Sequence, residues 1–401
     1  AIHHRHRQQQ LAPVAGPCPI DKGHTVKVMI VVTHLLGTGH LARALTLARA
    51  YIAAGDTVQI VSGGMPAPLL QQNDIPMMQL QPVRSDGVDF SRLLDADGDI
   101  AEEAYLASRQ KTLLETFTSF APDILITELF PFGRRILKAE FTALLSSARA
   151  LPTAPLVCAS IRDILAPPSK PKKAVFADEM IAEFYDAVLV HSDEALTPLD
   201  LSWPVSAQLR PYLHYTGFVA PAPATPGPAT EGSGEVIVSA GGGDVGGPVY
   251  EAAIAAAALM DRPMRLLVGG ATAHSRIEAL RRHAPQNVIV EAARPDFRQM
   301  LYHAAASVSL CGYNTALDIL QAGTPAVFVP FDEGGEVEQG LRATALATQS
   351  GIASLPRAQL TAESLCAALD DVIAAPLRSS AGSLFDGAAR TVAFTHARRT
   401  P

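Results

Sequence analysis

Four consecutive residues, Gly37-Thr38-Gly39-His40, combine two properties suited to chemistry on an anionic substrate. The glycines let the backbone approach a ligand with no Cβ in the way. A helix starting behind them presents unpaired N–H groups and a positive dipole end, which favour a phosphate or a developing anion. The imidazole of His40 is placed for proton transfer near neutral pH, although a histidine that only caps or packs at a helix start would read the same way. Arg43 follows one position after Ala42. The loop is not a dinucleotide fingerprint. Ala42 stands where G-x-G-x-x-G has its last glycine, and the next apolar run ends in Ser62-Gly63-Gly64 without an acidic residue.

Three further constellations lie in the second half of the chain. Ser239-Ala240-Gly241-Gly242-Gly243, with Gly246 and Gly247 before a helical run, is again a flexible loop feeding a helix start. It suits phosphate oxygens, and equally a tight strand-to-helix turn. In Cys311-Gly312-Tyr313-Asn314-Thr315-Ala316-Leu317-Asp318, Asn314 and Thr315 offer an amide and a hydroxyl where an anion would sit. Asp318, one turn in, suits the paired hydroxyls of a ribose; an ordinary N-cap with a first-turn acid is the plain alternative. Asp332 to Gln339 follows another strand, with Arg342 beyond it, and Glu338 and Gln339 can bond sugar hydroxyls directionally, although a solvated acidic loop would read the same way. In the first half, Glu128 before Phe130-Pro131-Phe132-Gly133-Arg134-Arg135 is placed to orient His40 or touch an acceptor. Arg162-Asp163 occupies a like position after the next strand.

Other readings fail on spacing. Asp95-Ala96-Asp97-Gly98-Asp99 resembles a calcium loop, but Ile100 stands where glycine is needed and Leu106 where glutamate is needed. No metal site is expected, and no zincin, nucleophile-elbow or Walker motif appears. Lys170, Lys172 and Lys173 read as a solvated surface run. The net charge of −7 gives no whole-chain attraction to nucleic acid or anionic membrane. Cys18, Cys158, Cys311 and Cys366 form no CxxC pair and read as reduced thiols of a cytoplasmic protein. No apolar run reaches the ~20 residues of a membrane helix, so membrane contact is expected to be at most peripheral.

The elements that must position these residues alternate. Expected strands at 26–32, 57–61, 123–128, 156–160 and 187–191 are separated by helices at 41–54, 100–120, 134–148 and one ending at 179–185. Residues 220–234 (APAPATPGPATEGSG) cannot build a core and read as an interdomain linker. The alternation then restarts, with strands at 235–240, 265–268, 288–290, 307–311 and 326–330 and helices at 249–259, 277–282, 297–304 and 314–321. Helices at 361–374 and 384–397 close the chain. The expectation is an α/β chain with two mostly parallel, helix-covered sheets. Its parts would be a disordered lead at 1–25, a first Rossmann-like domain at 26–219, the linker, a second domain at 235–375, and a terminal helix at 376–401 that packs back on the first domain.

The residues resemble the MurG-like branch of the GT-B glycosyltransferases, glycosyltransferase family 28, and within it a bacterial group of predicted transferases. The resemblance rests on GTGHLARALTLA at 37–48, SAGGG at 239–243 and CGYNTALDILQAGTPAVFVPFDEGGEVEQ at 311–339. It implies two Rossmann-like domains facing across a cleft, the C-terminal one binding the donor and the N-terminal one the acceptor. Thr315 would lie near the diphosphate with Gly312 and Asn314, and Asp318 would bind the ribose. Glu338 and Gln339 would hold the sugar, and Ala293 and Arg294 would flank the base. Gly39 and Gly241 to Gly243 would face the donor phosphates, and His40 matches the family's loop histidine. Thr38, Arg43 and Arg162 would lie on the acceptor side, with Glu128 catalytic beside His40.

Such a protein would be inverting and metal-independent, with no cofactor beyond a nucleotide-sugar co-substrate, a UDP-sugar by expectation. It would work as a monomer or homodimer without nucleic acid. UDP-sugar hydrolases and 2-epimerases on the same double fold, and a non-catalytic sugar-nucleotide binder, are the alternatives. The family's peptidoglycan member differs in having two glycines before the histidine, glutamate at the place of Asp318, and Gln-Gln at the place of Glu338-Gln339.

Overall fold

A computed structural model describes residues 25–399, except positions 36, 69, 71–73, 86–91, 228–230, 242–244 and 379–381. The expected lead, and Gly242 and Gly243 of the second glycine loop, therefore lie outside the described residues. In the first half the order is β1 (Lys27–Val32), α1 (Gly39–Ala53), β2 (Thr57–Ser62), β3 (Met77–Gln79), α2 (Glu103–Phe120) and β4 (Ile124–Glu128). It continues with α3 (Lys138–Arg149), β5 (Leu156–Arg162), α4 (Pro171–Phe184), β6 (Ala187–His191) and β7 (Leu213–Tyr215). The second half runs β8 (Val236–Ser239), α5 (Gly247–Ala257), β9 (Met264–Val268), α6 (Ala273–Arg281), β10 (Val288–Ala292), α7 (Phe297–Leu301) and β11 (Ala306–Ser309). After it come α8 (Tyr313–Ala322), β12 (Ala326–Phe328), α9 (Glu338–Leu346), β13 (Ile352–Ser354), α10 (Ala362–Ala374) and α11 (Gly387–Arg398).

Both sheets are parallel throughout. The first has seven strands in the order β3-β2-β1-β4-β5-β6-β7, the second six in the order β10-β9-β8-β11-β12-β13. Each sheet therefore reverses direction once, between β1 and β4 and between β8 and β11. In open α/β sheets, that reversal leaves a crevice at the strands' carboxyl ends. The central strands are buried on both faces, as VMIVV in β1 and AVLVH in β6 show.

Three strands escape the sequence pattern: β3, β7 and β13. Each is three residues long and sits at a sheet edge, too short to carry a period. The helix expected at 134–148 is divided: Arg134 has φ 58, a single 3-10 turn spans Arg135–Leu137, and α3 starts at Lys138. The acidic loop expected through Gln339 ends earlier, because Glu338 and Gln339 open α9.

The proline-rich connection is pinned to the second half. Gln321 Nε2 donates to Pro221 O (3.0 Å), Arg298 Nη2 to Ala222 O (2.8 Å), and His303 Nε2 lies 2.8 Å from Gly227 O. A second crossing runs beside it. Phe218 N donates to Leu384 O (2.7 Å), Gly387 N to Phe218 O (3.2 Å), and Val219 bridges Asp386. Beneath them Phe218, Leu384 and Phe385 pack with Leu317 and Phe328 of the second half.

The chain then returns to the first half, where α11 packs on α1. Tyr51 Oη lies 2.8 Å from Thr395 Oγ1, His396 Nε2 lies 2.8 Å from Asp56 Oδ2, and Phe394 stacks on His214 at 3.7 Å. The described cysteines, Cys158, Cys311 and Cys366, are unpaired. No helix among the described residues is long and apolar enough to cross a membrane.

Candidate functional site

The reversal point of the first sheet brings His40, Arg43 and Glu128 together. His40 is the second residue of α1, which starts after the β1 loop, and Glu128 is the last residue of β4. Glu128 Oε1 lies 2.8 Å from His40 Nδ1 and also accepts from Arg43 Nη2. Burial alone would raise the Glu128 carboxyl. Arg43, His40 and Ser160 outweigh it and hold the group well below the usual carboxylate range. His40 moves down as well. Burial dominates over the favourable carboxylate and lowers its pKa to about 3.

The two shifts fix the proton's place. An ionised carboxylate can only accept, so with Arg43 Nη2, 3.1 Å from His40 Nδ1, giving its proton to Glu128, a neutral His40 donates from Nδ1 to the same carboxylate. Nε2 then carries the lone pair, and the side chain is 14% exposed. An imidazole held in one tautomer by a buried carboxylate is an oriented proton acceptor.

Arg134 approaches the same point from the loop after β4. Its Nε donates to Thr33 O (2.5 Å), and its charge acts on both His40 and Glu128. Burial pushes this guanidinium down to about 10.

The facing half contributes Gly312 as N-cap of α8, then Tyr313, exposed Asn314 and half-buried Thr315. Apart from its chain neighbours and its own helix, nothing lies within 4 Å of where a Cβ on Gly312 would stand. The ring of Tyr313 is set between two guanidiniums, with Arg43 5.6 Å and Arg342 5.7 Å from its centroid. Arg342 also makes a bidentate pair with Asp163 (2.7 and 2.8 Å) and donates to Cys311 O (3.0 Å). Arg162 pairs with Glu338. The two residues expected on opposite sides, donor and acceptor, are thus bound to each other across the halves.

Other expected site residues stand apart from this cluster. Asp318 Oδ1 accepts from Arg298 Nε (2.8 Å), and burial raises its carboxyl. Gln339 is folded onto its own loop, with Oε1 accepting from Phe331 N (3.2 Å). Arg294 pairs with Asp296 (both 2.9 Å) and Glu231 at the surface. Gly241 has φ 74 and open space around it, so its backbone angle, not crowding, calls for glycine. Gly39 is exposed and uncrowded, and Thr38 caps α1 without a side-chain bond.

Among the described residues no group of three potential ligands could hold a metal ion. Asp95 Oδ1 instead accepts the backbone N–H groups of Asp97, Gly98 and Asp99 at 3.0 Å each, which accounts for the acidic run as a turn.

Sequence reading passed over Ser160, His191 and Tyr313. Ser160 and His191 lie at or near the carboxyl ends of β5 and β6, the rule that singled out Glu128. Both looked like apolar-strand residues because their neighbours are apolar.

Residues 271–386 match the family model "Glycosyltransferase family 28 C-terminal domain". No curated protein matches the sequence. Among solved structures, Acinetobacter baumannii MurG shares 16% identity over 93% of this chain and 98% of its own, with a TM-score of 0.59. Phytolacca americana UGT2, complexed with UDP-2-fluoroglucose and pterostilbene, shares 14% over 94% and 100%, with a TM-score of 0.63. Glycosyltransferase VinC, in complex with dTDP, shares 15% over 93% and 99%, with a TM-score of 0.58. At such identities the likeness establishes the fold, the GT-B arrangement of two Rossmann-like units.

Proposed function

We propose that this MurG-like GT-B glycosyltransferase moves a sugar from a nucleoside-diphosphate donor to an acceptor hydroxyl with inversion at the anomeric carbon, and that UDP carries the sugar. The observation that carries the reading is the contact of His40 Nδ1 with the buried Glu128 carboxylate (2.8 Å) at the reversal point of the first sheet. As the acceptor oxygen bonds to the anomeric carbon, its proton passes to His40 Nε2. The carbon–oxygen bond to the diphosphate breaks, and the nucleoside diphosphate leaves with the electron pair. The imidazolium formed lies against Glu128, which stabilises it without taking the proton.

On the donor side, the start of α8 at Gly312 to Thr315 receives the diphosphate, whose charge the helix N–H groups favour. Electrostatic holding of this type is usually the largest catalytic contribution, and in this reading it stands in place of a bound metal. Asp318 keeps one carboxylate oxygen for the ribose beside its Arg298 bond. Arg294, with Ala293, flanks the base, and Gly241 offers its backbone to the phosphates. Glu338 holds the donor sugar with Gln339, which requires Glu338 to exchange Arg162 for sugar hydroxyls. Arg162, Arg43 and Thr38 then face the acceptor. UDP-2-fluoroglucose in the Phytolacca americana protein and dTDP in VinC support a nucleoside diphosphate as the ligand class.

Thermal-shift measurement with UDP, dTDP and their sugars tests the donor. A ligand at a hundredfold excess over Kd adds about 2.7 kcal/mol of stability, and UDP is expected to outperform dTDP. Transfer to an acceptor panel tests the chemistry. His40→Ala is expected to lose roughly 10²–10⁴-fold in kcat while still binding UDP. Wild-type turnover in that variant, or full-speed hydrolysis of the donor without acceptor, would overturn the transfer mechanism.

A further inference from the structure

Glu128 has a second oxygen, and the residues behind it form a file across the first sheet. Ser160 Oγ donates to Glu128 Oε2 at 2.6 Å. His191 Nε2 lies 3.0 Å from Ser160 Oγ, and Thr216 Oγ1 lies 2.8 Å from His191 Nδ1. The four residues come from β4, β5, β6 and the position just after β7, neighbouring strands in that order. All are buried: Glu128 is 2% exposed and Ser160, His191 and Thr216 are each 0% exposed.

One proton order satisfies the first three members. The ionised carboxylate accepts, so the single proton of Ser160 points at it. The serine oxygen then needs a donor, which is His191 Nε2–H. Burial lowers the pKa of His191 to about 3, keeping it neutral, so Nδ1 holds a lone pair. That lone pair is a third acceptor for the Thr216 hydroxyl proton beside Gly217 O (2.9 Å) and Val190 O (3.4 Å). The donors of Ser160 and His191 therefore point toward Glu128, whose other oxygen accepts from His40.

We infer that Ser160 and His191 are positioning residues that hold the Glu128 carboxylate in place and so set the orientation and basicity of His40. The inference rests on the proposed role of His40 as base. Ser160 fixes the rotation of Glu128 by occupying the oxygen that His40 and Arg43 do not use. His191, with no apolar or charged substitute able to offer both a donor and an acceptor along this line, keeps the serine proton directed inward. Groups that act on the His191 imidazole are Arg43, Glu128 and His214, and those that act on His40 are Glu128, Arg43 and Arg134.

The test is Ser160→Ala, with His191→Leu and His191→Gln as a pair, in the full chain. Ser160→Ala and His191→Leu are expected to lower kcat roughly 10-fold or more, within the range that outer partners contribute, with KM for the donor unchanged. His191→Gln keeps an N–H at the Nε2 place and is expected to restore most of the loss. The second readout is the titration of His40 by NMR. With one fewer donor on Glu128, the carboxylate pulls harder on Nδ1–H, so His40 titrates at higher pH in Ser160→Ala than in wild type.

A merely structural file would lower the melting temperature and leave both kcat per folded molecule and the His40 titration unchanged; that result overturns the inference. If His40→Ala retains turnover while Ser160→Ala still moves the His40 titration, the base mechanism fails and the positioning relation stands.

Discussion

The proton inventory of two histidines makes a measurable claim about acid. His40 and His191 both have pKa values pushed by burial to about 3, against 6.5 for the free side chain. Between those limits the unfolded chain binds protons that the folded chain refuses, so stability rises with pH there. The stabilisation is fully present above pH 6.5 and is lost as pH falls toward 3, at up to about 1.4 kcal/mol per pH unit for each group. Urea unfolding at pH 7, 6, 5 and 4 is expected to show that slope. His191→Gln is expected to flatten it by about one proton's worth, and an unchanged slope would mean that His191 is protonated in the fold.

Part of the site was legible in the sequence because it rests on local signals. His40 announces itself beside glycines, and Glu128 as an acid ending an apolar run. The partners that give these residues their properties come from long range: Ser160 from the neighbouring strand, Tyr313 from the other half. No spacing rule connects them. The Arg162–Glu338 pair was unreadable for the same reason, since 176 residues separate its members.

At the level of elements, the entry to α11 is sensitive because Gly387 lies against the first crossing. A Cβ there would overlap the carbonyl oxygen of Gly217 and come within 2.6 Å of that of Phe218. Gly387→Ala is expected to cost about 1–3 kcal/mol through forced backbone shifts and to loosen α11 from α1. Calorimetry together with limited proteolysis of the last helix reads both effects, and a wild-type melting curve would refute the crowding.

The long elements were legible because burial on both faces leaves continuous apolar runs, as in β1 and β6, and amphipathic repeats, as in α1. The edge strands β3, β7 and β13 were not, because three residues carry neither period nor composition. The start of α9 was hidden by its own acids: Glu336 and Glu338 read as solvated loop, while Gln339 N in fact bonds Glu336 Oε1 at 3.1 Å as the helix begins.

For the whole molecule, the buried Asp163–Arg342 pair joins the halves at the cleft, with exposures of 1% and 3%. Asp163→Asn strands a buried guanidinium and is expected to destabilise by roughly 3–5 kcal/mol. Asp163→Asn with Arg342→Met should recover part of that loss, and guanidinium titration of wild type, the two single variants and the double variant measures it. Additive losses in the double variant would show that the two side chains act independently. The repeated strand–glycine loop–helix start made the two-unit plan readable from the sequence. The return of the chain to its first half depends on a contact between residues far apart in sequence, at 217–219 and 384–387.

Those two crossings lie side by side and are hydrogen-bonded to each other. A molecule with its two halves stitched along one edge works like a book with a single spine. Twisting or sliding one half against the other would stretch both strands of the stitching at once, whereas rotation about the spine stretches neither. The crossings by themselves leave one rotation of the halves least opposed, and the Asp163–Arg342 and Arg162–Glu338 pairs hold it closed. Residues near the spine, such as Tyr313, whose hydroxyl reaches Val219 O at 3.4 Å, move little, while travel grows with distance from it. Such a rotation leaves His40 and Glu128, both in the first half, in place, and parts the Arg162–Glu338 and Asp163–Arg342 pairs that bridge the halves.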